Sequence, residues 1–179
     1  MLPVLMVVLC VVFRVVPHPP NFAPVGAAAV MSGRTMSGGK ALLLVAVAMF
    51  LGDAALARIH GYSVVSSVTP FVYGGFFVQT FLGRLLRSRP GGTIAAAGLG
   101  AVAFFLLSNF GVWLASGMYP RTLAGLGACF TAAIPFFGGT LAGDVVWVLI
   151  LNGLYRQVAG RLEHRPGWVP VPVRRLAGI

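Results

Sequence analysis

A few polar side chains interrupt long apolar runs, and their chemistry is that of binding a small polar or charged solute. Asp53 follows eleven apolar residues and Gly52. A carboxylate inside a membrane span costs about 2.5–3.5 kcal/mol on insertion scales, so it must face protein or water and marks function by default. The alternative for Asp53 is an ion pair near a helix end, with Arg58 or with Arg34.

Asp144 is the second carboxylate, and its setting differs from that of Asp53. A helix is predicted to begin around Gly139-Thr140. Asp144 would then lie within about a turn of the helix N-terminus, where a carboxylate offsets the helix dipole. This structural interpretation is favoured, and a role facing a cavity stays open.

The stretch Pro17–Ala27 carries two further polar side chains, His18 and Asn21, among four prolines. Proline lacks the backbone N–H, so no straight helix runs through Pro17–Pro24. In an apolar chain, broken backbone is tolerated only where protein covers it or a polar cavity accepts it. The break therefore predicts a ligand site with His18 and Asn21, or a kinked linker in which Asn21 caps a helix beginning at Phe22.

A second stretch, Ser108–Pro120, is predicted to be irregular and to form an interface or a pocket rim. Its aromatic residues either stack on a flat ligand or anchor the chain at the membrane interface. The full set of predicted substrate-binding residues is His18, Asn21, Asp53, Asn109, Trp113, Tyr119 and Asp144.

Catalytic and metal-binding patterns are missing from the sequence. It contains no HExxH, GxSxG or Cys–His pairing, so we expect a protein that is not an enzyme and predict no catalytic or metal-ligating residue. Cys10 and Cys129 lie inside apolar runs, which indicates neither a disulfide framework nor a metal site. No cofactor can be named from the residues.

Composition places these residues in a membrane. Of 179 residues, 58% are hydrophobic and 9% are charged, against about 25% charged in a soluble domain. The sequence predicts an all-α polytopic membrane protein with about six transmembrane helices in one domain, residues 1–160, followed by a basic, proline-containing surface tail, residues 161–179. The positive residues behind the net charge of +10 lie between apolar runs and in the tail, where we expect them to set topology and to contact anionic lipid, not nucleic acid.

The predicted first helix is discontinuous, with Leu2–Val16 and Phe22–Met31 together crossing the membrane on either side of the proline break. The other predicted spans are Ala41–Arg58, Val64–Leu86, Thr93–Leu107, a short Arg121–Ile134 and Thr140–Val158.

The positions of the basic residues conflict with six full membrane spans. Arg84, Arg87 and Arg89 in one loop, and the basic tail, should both be cytoplasmic by the positive-inside rule. Six full spans put them on opposite faces, and they share a face only if Arg121–Gly138 is re-entrant. Six spans with a short fifth are the preferred prediction.

Ordered motifs give the chain a family resemblance. Arg14-x-x-Pro17-His18-Pro19-Pro20-Asn21-Phe22, Ser108-Asn109-Phe110-Gly111-Val112-Trp113 and Thr140-x-x-Gly143-Asp144 resemble an uncharacterised family of bacterial multi-pass membrane proteins labelled as putative transport proteins. At the level of the fold, that family is similar to the substrate-binding components of energy-coupling-factor vitamin transporters. The resemblance implies a small-solute binding protein of the bacterial inner (cytoplasmic) membrane.

Two functions are weighed on these grounds. The leading hypothesis is a solute-binding or transport subunit that acts with protein partners, because the chain has no nucleotide-binding motif of its own. The alternative is a structural accessory subunit of a larger respiratory or photosynthetic complex, in which the irregular stretches dock neighbouring chains. Membrane lipids are expected partners in both.

Overall fold

Apolar runs of helix-forming residues become six helices, separated where proline, glycine or polar residues cluster. The computed structural model describes residues 2–163, with side chains described as far as Ala159. The helices are α1 (Leu2–Val15), α2 (Val25–Thr35), α3 (Gly38–His60), α4 (Thr69–Leu85), α5 (Gly92–Ala115) and α6 (Leu123–Glu163). Residues 2–163 contain no strand, which confirms the predicted all-α class. The number of helices equals the predicted six, but the chain is divided differently at both ends.

Three of these helices have the length and apolar character needed to cross a membrane. They are α3, α5 and the part of α6 from Leu123 to Ala159. α1 is apolar but only 14 residues long, about 21 Å at 1.5 Å per residue. The polytopic membrane fold predicted from composition therefore rests on α3, α5 and α6.

The predicted proline break is confirmed, since α1 ends at Val15 and α2 begins at Val25. Within it the N–H of Phe22 donates to the carbonyl of Pro19 at 3.0 Å, and Asn21 has a φ of 60°. Proline at the second position and a left-handed asparagine at the third are the pattern of a type II β-turn. Asn21 therefore shapes the turn and does not cap α2, whose N-cap is Pro24.

The chain reverses at this break, so the predicted discontinuous helix through Leu2–Met31 is wrong. Arg14 and Gly26 line one small cavity, which places the end of α1 beside the start of α2. Val4 lines a groove with Met36, which places the start of α1 beside the end of α2. α2 therefore runs back toward the membrane face from which α1 begins.

Small side chains explain why α2 turns inward. Its residues from Val25 to Gly33 are all buried. Gly33 lies against the carbonyl of Thr80, and Gly83 lies against that of Val30, so closely that a Cβ at either glycine would overlap the opposing backbone. Close backbone approach through glycine is the usual basis of tight helix packing in membranes. α2 thus forms the centre of the bundle, against α4.

The C-terminal half differs from the prediction because its polar residues are accommodated inside helices. α5 continues through Ala115, so most of the stretch Ser108–Pro120 is not irregular. Ser108 Oγ donates to the Phe104 carbonyl at 2.7 Å and Asn109 Nδ2 to the Phe105 carbonyl at 2.8 Å. Bonds to the carbonyl four residues back let such side chains stay within a helix.

The predicted fifth and sixth spans form one helix, α6, with Pro135 inside it. A proline removes one backbone hydrogen bond, but in apolar surroundings the remaining bonds have no competing water, and helices accommodate it. At 41 residues, α6 is about 60 Å long. The preference for a separate short fifth span is therefore wrong.

One helix in place of two resolves the topological conflict. Gln79 of α4 lies against Gly100 of α5, and Asn109 of α5 contacts Cys129 of α6, so α4, α5 and α6 alternate in direction. The α4–α5 loop and the end of α6 then lie at the same end of the bundle. This basic end comprises Arg34, Lys40, Arg84, Arg87, Arg89 and Arg156.

The predicted division into residues 1–160 and 161–179 stays a prediction. α6 continues to Glu163, and residues 164–179 lie outside the described part of the chain.

Candidate functional site

The proline break docks on a small-residue face of α6. Gly139 lies so close to the Pro20 carbonyl that a Cβ there would overlap it, and a Cβ at Gly143 would lie 3.1 Å from the Phe22 Cα. Two glycines four residues apart let the irregular backbone approach the helix directly. One side of the break thus packs on α6, whereas Pro17, Pro19, Pro20 and Asn21 are exposed at the surface of the protein.

A cavity of about 250 Å³, here called the chamber, lies between the break, α5 and α6. Its polar groups are the amides of Asn21 and Asn109 and the hydroxyls of Ser108 and Thr140. Asn21 Nδ2 also donates to the Phe136 carbonyl at 3.4 Å. The remaining walls are apolar and mainly aromatic: Phe104, Phe105, Ala133, Phe136 and Phe137.

A second cavity of about 80 Å³, the inner pocket, adjoins the chamber through the shared residues Asn21, Phe104 and Thr140. It leads to Asp144, which is only 3% exposed. The fully buried Gln79 donates from Nε2 to Asp144 Oδ2 at 2.8 Å. The pair joins α4 to α6 at the bottom of the site.

The predicted position of Asp144 near a helix start is wrong, because α6 begins 21 residues earlier, at Leu123. The carboxylate instead lies against Gly26, in the first turn of α2. α2 has no side-chain hydrogen bond at its N-cap, and the first N–H groups of a helix carry a partial positive charge. Asp144 offsets the dipole of a different helix from the one expected.

Asp53 pairs with a residue that sequence spacing does not suggest. It forms an ion pair with Arg14 and accepts a hydrogen bond from the Tyr73 hydroxyl at 3.2 Å. The predicted pairings with Arg58 and Arg34 are wrong: Arg34 donates to the carbonyls of Leu86 and Arg87. The side chain of Asp53 is 15% exposed, so it faces protein, beside the end of α1.

Arg14 lies between two cavities. It lines the inner pocket and also a cavity of about 220 Å³, the outer cleft, which contains Asp53, Tyr73 and the loop residues Tyr62 and Ser63. Its Nε is buried without a hydrogen-bond partner among the described groups. The guanidinium therefore separates the carboxylate of Asp53 from the pocket that leads to Asp144.

Three predicted site residues lie elsewhere. The Nδ1 of His18 is 2.8 Å from the Val16 carbonyl, within the break, and His18 does not line the chamber. Trp113 Nε1 donates to the Pro120 carbonyl at 3.0 Å, which holds the α5–α6 turn. Tyr119 lies in that turn and does not line the chamber either. The structure therefore brings together Asn21, Asn109 and Asp144 around the chamber and the inner pocket. Asp53 lines the neighbouring outer cleft.

Sequence reasoning missed two polar partners. Gln79 is a lone amide in the apolar run of α4, and Arg14 is the only charged residue of α1. A polar side chain in an apolar helix is costly and therefore indicates a structural or functional role. The signal that selected Asp53 was thus also present at Gln79 and at Arg14. Among the side chains of residues 2–159, no three of His, Cys, Asp or Glu lie close enough to hold a metal ion.

Over the described residues, the fold and site define an all-helical membrane protein with a chamber beside the proline break between α1 and α2. Over residues 1–166 the chain matches the model of one family, described as a family of unknown function (DUF6580), and it belongs to that family. No curated protein and no solved structure matches it.

Proposed function

We propose that this protein is a solute-binding or transport subunit of the bacterial inner membrane, with the chamber as its binding site. The observation that supports this most directly is a cavity of about 250 Å³ lined by two amides and two hydroxyls, within a chain that is 58% hydrophobic. Each of the four groups donates to a backbone carbonyl, and its oxygen keeps lone pairs that can accept further hydrogen bonds. A small solute with hydrogen-bond donors would bond to these oxygens.

The shape of the chamber fits binding better than catalysis. Small-molecule sites are concave and mostly apolar, with a few polar groups that fix orientation. Asn21, Ser108, Asn109 and Thr140 provide those groups, and the phenylalanines provide the apolar walls. Amides and hydroxyls without an adjacent base bind a solute but do not activate a nucleophile, so we propose a protein that is not an enzyme.

Movement across the membrane would need an energy source from elsewhere. The sequence contains no phosphate-binding loop of the GxxxxGKS or GxxxxGKT type. Any transport driven by ATP would therefore use partner subunits.

A chamber-filling variant tests the binding role. Ala133 lines the chamber, whereas the neighbouring Ile134 is 62% exposed on the outside of α6. Ala133→Trp fills the cavity, and Ile134→Trp adds the same ring outside it. The measurement is the melting temperature of the detergent-solubilised protein against a panel of small solutes. We expect solutes that stabilise the parent and Ile134→Trp but not Ala133→Trp; a panel in which Ala133→Trp responds like the parent would contradict the proposal.

One observation favours the alternative of an accessory subunit. A groove of about 400 Å³ between α1 and α3 opens on the outside of the bundle. Its walls are apolar except for Lys40: Pro3, Val4, Val7, Val8, Met36, Leu43, Leu44 and Val47. Purification from native membranes in mild detergent separates the two functions, since a stoichiometric large complex would favour this alternative.

A further inference from the structure

We propose that the solute of the chamber is an organic amine, and that its ammonium group binds at Asp144. This inference rests on the proposed function and adds the chemical class of the solute. It follows from the charge at Asp144, from the phenylalanines in the walls and from the sizes of the two adjoining cavities.

The first argument is that no cationic side chain among the described residues pairs with Asp144, so the partial positive charge at the start of α2 offsets its charge only in part. Its carboxylate is 3% exposed, and its hydrogen-bond donor, Gln79, is neutral. In the part of the chain that the structure describes, Arg14–Asp53 is the sole ion pair within 4.0 Å. A buried carboxylate without a cation is strongly disfavoured. A cationic ligand in the inner pocket would supply the missing charge.

Arg14 does not fill that role. It lines the inner pocket with Asp144, but its Nη2 is paired with Asp53. Because one guanidinium offsets one carboxylate, the cluster of Arg14, Asp53 and Asp144 carries a net charge of −1 when both carboxylates are ionised. A monovalent cation would make it neutral.

The second argument is the way in which Gln79 holds Asp144. Asp144 lines the inner pocket, whereas the fully buried Gln79 does not. The amide of Gln79 donates to Asp144 Oδ2, so a neutral group fixes the carboxylate without offsetting its charge. The carboxylate is therefore the acceptor that an ammonium group, with up to three donors, would meet in the pocket.

The third argument concerns the body of the solute. Phe104 lines both the inner pocket and the chamber, and Phe105, Phe136 and Phe137 line the chamber. Aromatic faces attract cations and pack against apolar groups. The inner pocket, at about 80 Å³, suits a head group, and the chamber, at about 250 Å³, suits an apolar or planar body.

A metal ion fits these surroundings less well. Sodium-like and calcium-like ions take several oxygen ligands. Here the amide group of Gln79 turns its N–H toward the carboxylate. Asp144 is the one carboxylate among the described residues that line the inner pocket, and Phe76 and Phe104 form part of its wall. An ammonium needs one carboxylate and tolerates aromatic neighbours.

The test compares three probes that share a phenyl ring: 2-phenylethylammonium, 2-phenylethanol and phenylacetate. Binding to the full-length protein in detergent is measured by calorimetry and by melting temperature. We expect the ammonium to bind about tenfold or more tightly than the alcohol and phenylacetate to bind weakest. Asp144→Asn should reduce the affinity for the ammonium to that for the alcohol. Arg58→Gln, which changes an exposed charge at the end of α3, should leave the preference intact.

Each contrary result identifies what failed. If the ammonium and the alcohol bind with equal affinity, this inference is overturned but the chamber remains a binding site. The same holds if the solutes that stabilise the parent are neutral and no longer stabilise Ala133→Trp. Stabilisation by sodium over potassium, or by acidification from about pH 8 to about pH 6, with no preference for the ammonium, overturns it in favour of a metal ion or a proton. If Asp144→Asn does not fold, the comparison of probes on the parent decides alone.

Discussion

The carboxylate of Asp144 occupies the space that a side chain at position 26 would fill, so glycine at that position makes room for it. The contact joins the middle of α6 to the first turn of α2. A helix start, a buried charge and the inner pocket meet at this one point.

Gly26→Ala should therefore destabilise the protein. A Cβ at residue 26 would overlap both carboxylate oxygens, so either Asp144 leaves Gln79 or α2 shifts. We expect a loss of about 1–3 kcal/mol, typical of overpacking in a core. The matched control is Gly74→Ala in α4, where nothing lies within 4 Å of the added methyl. Thermal unfolding in detergent measures both, and equal melting temperatures would contradict the assigned contact.

Gly139→Ala should loosen the proline break. Its methyl would overlap the Pro20 carbonyl and push the break away from α6, which opens the chamber. We expect lower thermal stability and weaker solute binding. Gly138→Ala is the control, one residue away with open space around the methyl. If the two variants unfold at the same temperature, the docking of the break on α6 is incorrect.

The pair Arg14–Asp53 should behave as a coupled unit. Removing one partner leaves the other charge poorly compensated, whereas replacing both by apolar residues removes the charges together. Arg14→Met and Asp53→Leu should each destabilise by about 1–3 kcal/mol, less than for a fully buried pair because both side chains are partly exposed. The double variant should recover much of that loss. Additive losses in this double-mutant cycle would show that the two residues do not interact.

The basic end of the bundle should face the cytoplasm. Cysteine introduced at Ser88, in the α4–α5 loop, should be protected from a membrane-impermeant thiol reagent in intact cells. Cysteine at Gly117, in the α5–α6 turn, should react. The two native cysteines are buried, which keeps the background low. Reaction at residue 88 and protection at residue 117 would reverse the orientation expected from the positive-inside rule.

The sequence predicted the fold correctly where a residue determines the conformation of its own backbone. The prolines of residues 17–24 placed the break correctly, because proline excludes a regular helix whatever surrounds it. The direction of α2 was not predictable, since it depends on the close approach of Gly33 and Gly83 to opposing backbones. Pro135 and Asn109 were mistaken for helix breaks because their effect depends on whether the surroundings stabilise a helix.

The site was predictable in part for a similar reason. Asn21, Asn109 and Asp144 were recognisable as polar groups in apolar runs, and these three line the chamber or the inner pocket. The partner of Asp53 was missed because it lies 39 residues away, a distance over which sequence spacing carries no information. Trp113 and Tyr119 were selected by residue type alone, and neither lines the chamber.

Arg14 is part of the wall of the outer cleft and of the inner pocket at once. A charge that arrives in either cavity therefore changes the electrostatic field in the other, with no movement of a helix. A cation bound in the inner pocket, as proposed above, would change the electrostatic field at Arg14 and hence in the outer cleft, which the loop after α3 lines. Arg14 would then couple the two cavities through its charge, and the ion pair with Asp53 would determine how far the guanidinium can respond.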